Sequence, residues 1–312
     1  MPKKAQEERL EDMTPCIACL QGCVANMYAG NPVCCLTNPF LGHEAEPLEK
    51  AEEPKKVMVI GGGVAGLSAA FIAKERGHEV TLYEAGDVLG GNMRLAAYPP
   101  GKGDITNMIR SYIHRCQKDG VKIVMNCEVT PELIKEEKPD SVIIATGSKT
   151  LILPIEGIDN PAIIHGSDLL DGKRAAGKKV LVVGGGMVGC ETAAFLGEQE
   201  HDVTVIEFRD TVGADVIHEH RVYLMKDFED YGIKEITGAK VCKFYEDGVE
   251  YETADGVRHE SRGYDSVILS MGFRNYNPLE EKIKDLVPET HVSRRWLSVQ
   301  DVHWMQQKRL MR

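Results

Sequence analysis

Four cysteines near the start of the 312-residue chain are the side chains best placed to carry chemistry: Cys16, Cys19, Cys23 and Cys35. Three thiols within eight residues can bind one side of an inorganic cluster, and the fourth can complete the ligand set after a short excursion of the chain. This spacing is typical of a 4Fe–4S cluster held by four thiolates. Such a cluster transfers single electrons, so the pattern predicts an electron-transfer protein with a metal site at these four residues.

Other uses of the cysteines fit the spacing less well. A structural zinc site usually contains two Cys-x2-Cys pairs, whereas this chain has one such pair, Cys16 and Cys19. Disulfides are not expected, because nine cysteines are an odd number and no secretory signal is present, which favours a reducing, cytoplasmic location. Cys34 competes with Cys35 for the place of the fourth ligand. The remaining cysteines are predicted to be small buried side chains: Cys116, Cys127, Cys190 and Cys242.

A glycine-rich turn between a strand-like run and a helix-like run indicates a nucleotide site. Gly61, Gly63 and Gly66 form the pattern G-x-G-x-x-G, and Glu84 ends the next strand, 18 residues after Gly66. These glycines allow a tight turn, a close approach of pyrophosphate and close packing of the helix on the strand, while the acid can bind a ribose diol. The phosphates are expected at the helix N-terminus. The predicted binding residues here are Gly61, Gly63, Val64, Ala65, Gly66 and Glu84.

The same pattern recurs 123 residues later. Gly184, Gly186 and Gly189 form the second glycine motif, and Glu207 ends its second strand. An acid at this position accepts hydrogen bonds from a ribose 2′-hydroxyl and repels a 2′-phosphate, so NADH is favoured over NADPH. Arg209 lies close enough in sequence to weaken this preference. Two such folds in tandem predict two nucleotides, or one bound nucleotide and one degenerate site.

The composition is that of a soluble α/β protein. Hydrophobic residues make up 43% of the chain and charged residues 27%, and no apolar run reaches the length of a membrane span. The formal net charge of −11 disfavours a nucleic-acid partner, because phosphate binding needs a basic surface. The predicted fold is α/β, with two nested dinucleotide-binding (Rossmann-like) domains after an N-terminal cysteine-rich, iron–sulfur segment.

Further motifs resemble the flavoproteins that contain two dinucleotide folds. The Gly-Gly pair that ends at Gly91 and precedes Asn92, and the later Ala145, Thr146 and Gly147, resemble their two FAD-binding fingerprints; Gly272 falls where their chain returns to the FAD domain. The resemblance implies an iron–sulfur segment at 1–50, an FAD-binding domain at 51–153 and 266–312, and an inserted NAD(H)-binding domain at 154–265. The redox cysteine pair of the disulfide reductases has no counterpart, so that branch is not expected.

The combined motifs C-x2-C-x3-C-x11-C, L-T-N-P and G-H-E, followed by both folds, resemble one family over nearly residues 1–292. It comprises the old-yellow-enzyme-like iron–sulfur flavoenzymes, which include 2,4-dienoyl-CoA reductase, 2-enoate reductase, bile-acid ene-reductases and trimethylamine dehydrogenase. The resemblance implies that Cys35 is the fourth ligand and that electrons pass from NADH through FAD to the 4Fe–4S cluster. Members begin with a TIM barrel that holds FMN, and no such sequence occurs here. We therefore expect no FMN site, no full ene-reduction and no catalytic acid–base residue, with a separate FMN-containing barrel protein as the electron acceptor.

The C-terminal residues depart from the family. Where the family has V/I-G-D-A/G and then D-A-T-x-E-A-Y, residues 293–312 read differently, and both motifs reappear in shifted reading frames of codons that encode this tail. The hypothesis is that the tail contains frameshifts, of which Trp296 and Trp304 would be products. Two alternative functions stay open: a non-catalytic remnant, and an electron-transfer protein resembling the glutamate synthase β subunit. The oligomeric state is not predicted.

Overall fold

The computed structural model describes residues 2–46 and 48–293. The frameshift hypothesis concerns a tail that lies, apart from Ser293, outside these residues. The helices described are α1 (Pro2–Gln6), α2 (Val24–Tyr28), α3 (Val64–Glu75), α4 (Asn92–Leu95), α5 (Asp104–Lys118), α6 (Pro131–Glu137), α7 (Gly166–Leu170), α8 (Met187–Glu198), α9 (His218–Asp230) and α10 (Glu280–Ile283), with a 3-10 turn at Leu10–Asp12. Within the described residues, no helix is long and apolar enough to cross a membrane.

The strands alternate with these helices through most of the chain. In order they are β1 (Lys56–Ile60), β2 (Glu79–Tyr83), β3 (Lys122–Val124), β4 (Ser141–Ile144), β5 (Ser148–Thr150), β6 (Ile163–His165), β7 (Lys179–Val183), β8 (Asp202–Ile206), β9 (Lys234–Ile236), β10 (Lys240–Tyr245), β11 (Gly248–Glu252), β12 (Arg258–Ser261), β13 (Ser266–Leu269), β14 (Phe273–Asn275) and β15 (Glu289–Val292).

The first parallel sheet has the strand order β15-β4-β1-β2-β3. Successive side chains of β1 point to opposite faces, so Val57 and Val59 join one buried cluster while Met58 and Ile60 join another. The first cluster contains residues of α3 and α5, and the second contains residues of α6 and α10. Cover on both faces explains why residues 57–60 form an uninterrupted apolar run.

The second parallel sheet repeats this design, with the order β6-β13-β7-β8-β9. Val180 and Val182 of β7 pack with residues of α8 and α9, and Leu181 and Val183 pack on the other face with Phe244 of β10. Strands β10, β11 and β12 form a separate antiparallel sheet, and β5 pairs with β14. The two β-α-β repeats confirm the predicted α/β class with two dinucleotide-binding folds.

The chain forms two compact units. Unit 1 comprises the described parts of residues 1–97, 104–148 and 275–312, and unit 2 comprises residues 98–103 and 149–274. Unit 1 therefore contains the cysteines near the start and the first glycine motif, and unit 2 contains the second motif. The domain boundaries expected from the sequence, after residues 50, 153 and 265, stay a prediction.

Close backbone packing requires glycine at the same places in both repeats. A Cβ atom at Gly61, whose φ is +108°, would lie 2.4 Å from the carbonyl oxygen of Ala145. A Cβ atom at Gly66 would lie 1.9 Å from the carbonyl oxygen of Gly61, and one at Gly189 would lie 1.8 Å from that of Gly184. Any larger residue at Gly66 or Gly189 would push the helix off the strand that precedes it.

We expect Gly66→Ala to destabilise unit 1 by about 3 kcal/mol or more, because the new methyl group meets a backbone carbonyl that cannot move without displacing β1. Gly103→Ala is the matched control, since a Cβ atom there has no neighbour within 4 Å. Thermal unfolding of the two purified variants measures the difference. Equal midpoints for Gly66→Ala and Gly103→Ala would show that the helix is not held against the strand as described.

Candidate functional site

A cavity of about 370 Å3 lies in unit 1, where β1 and β4 end and α3 begins. Ligands of open α/β sheets bind at these carboxyl ends of the strands. Most of the residues expected at the first nucleotide line this cavity: Gly61, Gly63, Val64, Ala65, Glu84, Gly91, Asn92, Ala145, Thr146 and Gly147. Gly66 is not part of the lining, because its role is the helix–strand contact.

The N-terminus of α3 opens into the cavity without a side-chain cap. Gly63 is the capping residue and no side chain hydrogen-bonds there. On the opposite side, a Cβ atom at Gly91 would lie only 3.1 Å from the Cα atom of Gly63, and the φ of Gly91 is +54°. Two glycine backbones thus face one another at the start of the helix. The first N–H groups of α3 are left for an anion, which the helix dipole also favours.

Glu84 is held in place by two backbone amides. Its Oε2 atom accepts a hydrogen bond from the N–H of Gly62 at 2.6 Å, and Oε1 accepts one from Gly86 at 2.7 Å. Each carboxylate oxygen can accept more than one hydrogen bond. The carboxylate is therefore fixed at the cavity wall and can still accept bonds from the two hydroxyls of a ribose.

Two stretches of the lining were not expected from the sequence. Residues 127–131 follow β3, and Tyr276 and Lys282 belong to the stretch between β14 and β15. The latter stretch is tied to the predicted fingerprint, since Thr146 Oγ1 donates to the carbonyl of Tyr276 at 2.5 Å and the Tyr276 N–H donates to Gly147 at 2.9 Å. No motif marks these residues. Residues 127–131 follow a strand of the first sheet, whereas Tyr276 and Lys282 lie between β14, which is outside that sheet, and β15, which belongs to it.

The isolated cysteines divide into two groups. Cys116 and Cys190 are fully buried, as the sequence predicts. Cys127 is half-buried and lines the cavity, and Cys242 is half-buried at a bulge between β10 and β11. The expectation of small buried side chains was therefore wrong for these two. Cys127 packs on the cluster that contains α6 and α10 but also faces the cavity, and Cys242 lies where the strand is irregular.

The second motif has the same local geometry in unit 2. Gly186 caps α8, Glu207 Oε2 accepts from the Gly185 N–H at 2.6 Å, and Glu207 Oε1 accepts from the Arg209 N–H at 2.9 Å.

Gly272 is not among the residues that line the unit 1 cavity. Its carbonyl accepts a hydrogen bond from the Leu151 N–H at 2.9 Å, so it connects two segments of backbone.

Helix α5 supports residues 13–43, here called the cysteine segment. The buried Tyr112 hydroxyl donates to the carbonyls of Leu36 at 3.3 Å and Thr37 at 3.2 Å. Ile17 is buried in the cluster that contains α3 and α5, and Phe40 packs against the same cluster. The segment has little secondary structure of its own, so these contacts with α5 determine its position.

A second attachment is the carboxylate of Asp12, just before the cysteine segment. Asp12 contacts Lys118, His114 at 3.0 Å and Arg9 at 2.8 Å, and its side chain is only 8% exposed. Lys118, then His114 and Arg9, hold the pKa of Asp12 well below its usual value. The stabilisation is therefore present above the ordinary Asp pKa of about 3.9 and is lost as the pH falls towards the lowered pKa.

The predicted ligands lie in one neighbourhood. Burial raises the pKa of the Cys19 thiol; the Gln21 backbone opposes the rise by hydrogen bonding, and Cys35, Cys23 and Cys16 add to it. Within residues 2–46 and 48–293, no three His, Cys, Asp or Glu side chains are grouped as ligands of a single metal ion. A 4Fe–4S cluster spreads its four thiolates over four iron atoms, so its ligands need not converge on one point.

The backbone around Cys19 adopts an unusual conformation that suits a negative cluster. Ala18 and Leu20, which flank it, have φ values of +51° and +55°, and the Ala18 N–H donates to Cys16 Sγ at 3.4 Å. A left-handed conformation costs a residue with a Cβ atom about 1–2 kcal/mol. Loops that alternate in this way present backbone N–H groups to anions and are common at iron–sulfur sites.

Cys34 and Cys35 are in different environments. The Cys34 thiol donates to the Gly22 carbonyl at 3.5 Å and accepts from Asn26 at 3.1 Å, so both of its hydrogen-bonding functions are used. Cys35 Sγ lies 3.4 Å from the hydroxyl of Thr37. This favours Cys35 as the ligand and Cys34 as a structural residue that closes the loop on Gly22.

Comparison with known proteins gives consistent matches over most of the chain. Residues 55–286 match the family described as pyridine nucleotide-disulphide oxidoreductase. Cinnamate reductase of Clostridium sporogenes is 33% identical over 94% of this chain and 44% of its own length. NADH oxidase of Thermoanaerobacter brockii is 35% identical over 87% of this chain and 42% of its own length.

Among solved structures, a complex of 2-naphthoyl-CoA reductase with 2-naphthoyl-CoA superposes with a TM-score of 0.91 at 33% identity. The superposition covers 98% of this chain and 48% of that chain. The chain thus spans about half the length of the curated relatives it matches.

We expect Asp12→Asn to loosen the cysteine segment, because Lys118 and Arg9 would then face a neutral amide at a mostly buried position. Amide hydrogen exchange in residues 9–40 should become several-fold faster at pH 7. Glu11→Gln removes an exposed charge next to Asp12 and should leave exchange unchanged. Equal exchange rates in the two variants would contradict the assigned role of Asp12.

Proposed function

Because this chain belongs to the pyridine nucleotide-disulphide oxidoreductase family, we propose that it takes electrons from NADH onto FAD and passes them to a 4Fe–4S cluster. Membership makes it an NAD(P)H-dependent flavin oxidoreductase. The resemblance to the 2-enoate reductase group is also confirmed for the part of those proteins that the chain covers. The cluster, the direction of electron flow and the final acceptor are proposals.

One observation carries the proposal: α5 contacts both the flavin cavity and the cysteine segment. A Cβ atom at Gly90, in the cavity lining, would lie 2.9 Å from Ile109 of α5. One turn further along, Tyr112 of the same helix holds the carbonyls of Leu36 and Thr37 beside Cys35. A single helix within unit 1 therefore connects the two sites and keeps their separation fixed.

The residues of unit 1 fit FAD. The open N-terminus of α3 would bind the pyrophosphate, and Glu84 would accept hydrogen bonds from the adenosine ribose. Ala145, Thr146 and Gly147, which line the cavity, would follow the path of the rest of the cofactor. When bound, FAD accepts hydride from NADH and can release electrons singly, which is chemistry that no side chain supplies.

The cysteine segment fits a 4Fe–4S cluster in its donors and its backbone. Cys16, Cys19, Cys23 and Cys35 would supply the four thiolates. Ala18 and Leu20 on either side of Cys19 are left-handed, and the Ala18 N–H donates to Cys16 Sγ. In unit 2, the Glu207 carboxylate would accept a hydrogen bond from the ribose 2′-hydroxyl of NADH and repel the 2′-phosphate of NADPH.

The electron acceptor is proposed to be an FMN-containing barrel. Beside the cysteines, the exposed apolar side chains Met27, Tyr28 and Val33 are 55%, 75% and 48% accessible. Exposed apolar groups that lie together often mark a protein interface. A barrel packed on this surface would receive electrons from the cluster. Ene-reduction of a substrate would then take place in the barrel.

We expect the anaerobically purified chain to contain FAD and about four iron and four sulfide atoms, and its visible absorbance to bleach when NADH is added. NADPH should bleach it more slowly because of Glu207. The measurement is anaerobic spectroscopy with iron, sulfide and flavin analysis. A folded protein that lacks these cofactors after reconstitution and does not respond to NADH would instead support the non-catalytic remnant.

The fourth ligand can be tested separately. Cys35→Ala should lose most of its iron, because Cys34 is hydrogen-bonded to Gly22 and Asn26 and is not placed to replace Cys35 as a ligand. Cys34→Ala should retain iron, with FAD content unchanged in both variants. Iron loss from Cys34→Ala together with full iron in Cys35→Ala would reverse the assignment.

A further inference from the structure

The two repeats are equivalent beyond their glycine motifs, with a constant offset of 123 residues. In the first repeat the Gly90 N–H donates to the Gly62 carbonyl at 2.8 Å, and in the second the Gly213 N–H donates to the Gly185 carbonyl at 2.7 Å. The loop that follows the acid at the end of each second strand therefore returns to its glycine turn in the same way. Two residues further on, this equivalence pairs Asn92 in unit 1 with Asp215 in unit 2.

These two side chains make different hydrogen bonds: Asn92 donates to another loop, and Asp215 accepts from the start of a helix. The Asn92 amide donates to the backbone carbonyl of Ser148 at 3.1 Å and to its hydroxyl at 3.3 Å. Asp215 Oδ1 instead accepts a hydrogen bond from the Met187 N–H, the first residue of α8, at 2.8 Å. Its other oxygen lies 3.3 Å from where a Cβ atom of Gly186 would be. A carboxylate thus occupies the N-terminus of α8, while that of α3 faces glycine backbone.

Asp215 lies where the pyrophosphate of a bound dinucleotide would be expected. The pyrophosphate of a nucleotide bound to a G-x-G-x-x-G turn takes its hydrogen bonds from the first N–H groups of the helix. Asp215 already uses one of these groups, and its negative charge repels a second anion at the same place. The second glycine, which permits close approach of phosphate, faces this carboxylate in unit 2.

We propose that Asp215 competes with the pyrophosphate of NADH and must leave the Met187 N–H when NADH binds. The inference rests on the proposed function of unit 2 as the NADH site. It assigns Asp215 a role in setting affinity: NADH binds weakly enough to leave after each turnover. In unit 1 the equivalent position is the neutral Asn92, so FAD meets no such competitor and stays bound.

Asp215→Asn tests this competition with little risk to folding, because Asn is as good a helix N-cap as Asp. The dissociation constants of NADH and ADP-ribose should fall about tenfold in this variant. Adenosine, which has no phosphate, should bind equally to both proteins. Isothermal titration calorimetry gives the first two constants, and displacement of bound NADH gives the third.

Asp210→Asn is the matched control. Asp210 is an exposed acid of the same loop and lies 3.8 Å from the Cβ position of Gly238 instead of at α8. The Asp210→Asn variant loses the same charge from unit 2. Its dissociation constants for NADH and ADP-ribose should match those of the unchanged protein. An equal gain in Asp210→Asn would mean that net charge, and not the contact with Met187, sets the affinity, and would overturn the inference.

The outcomes separate the inference from the function on which it rests. If the unchanged protein binds NADH and Asp215→Asn binds it no more tightly, the competition is refuted and the NADH site stands. A gain for adenosine as large as that for ADP-ribose also refutes it. If neither the unchanged protein nor Asp215→Asn binds NADH or ADP-ribose, the NADH site itself is refuted, and the inference with it.

Discussion

The contact of Gly66 with the Gly61 carbonyl, and of Gly189 with the Gly184 carbonyl, is the constraint on which the rest of the structure depends. It brings the first turn of each helix against the end of the preceding strand, with 1.9 Å and 1.8 Å left for a hypothetical Cβ atom. The helix N-termini consequently open at the same edge as the fixed acids Glu84 and Glu207. The expected anion site is thus placed by a packing requirement of the backbone, and the carboxylate expected to bind ribose lies at the same edge.

Helix α5 positions the cysteine segment relative to the cavity. The cysteine segment contains only the five-residue helix α2, and helices this short are not stable without tertiary contacts. Helix α5 determines its position, through the Tyr112 hydroxyl and through Lys118 and His114, which contact Asp12. Because α5 also packs against Gly90 in the flavin cavity, the proposed electron path depends on contacts between the helix and a loop. The path does not require the segment to fold by itself.

The sequence was sufficient where a function needs a fixed residue type at a fixed spacing. The glycine motifs, Glu84, Glu207 and residues 145–147 meet this condition, because steric closeness and hydrogen bonding leave few alternatives. Residues 127–131, Tyr276 and Lys282 do not, since tertiary structure alone brings them to the cavity. Residues 127–131 follow β3 at the edge of the sheet, and Tyr276 is held by hydrogen bonds with Thr146 and Gly147. Cys127 was misjudged for the same reason: composition indicates a buried residue, and only the topology shows that its strand ends at a cavity.

The duplication shows how one fold can serve two cofactors with different kinetic needs. A flavin must stay bound through many turnovers, whereas a nicotinamide cosubstrate must leave after each one. Both repeats keep the glycine turn and the acid that accepts hydrogen bonds from two backbone amides, so the difference cannot come from these shared parts. It has to come from side chains at equivalent positions, and Asn92 and Asp215 differ by one full charge at the point where phosphate would bind. A resident carboxylate lowers affinity without altering the backbone that recognises the nucleotide, which keeps specificity while permitting release.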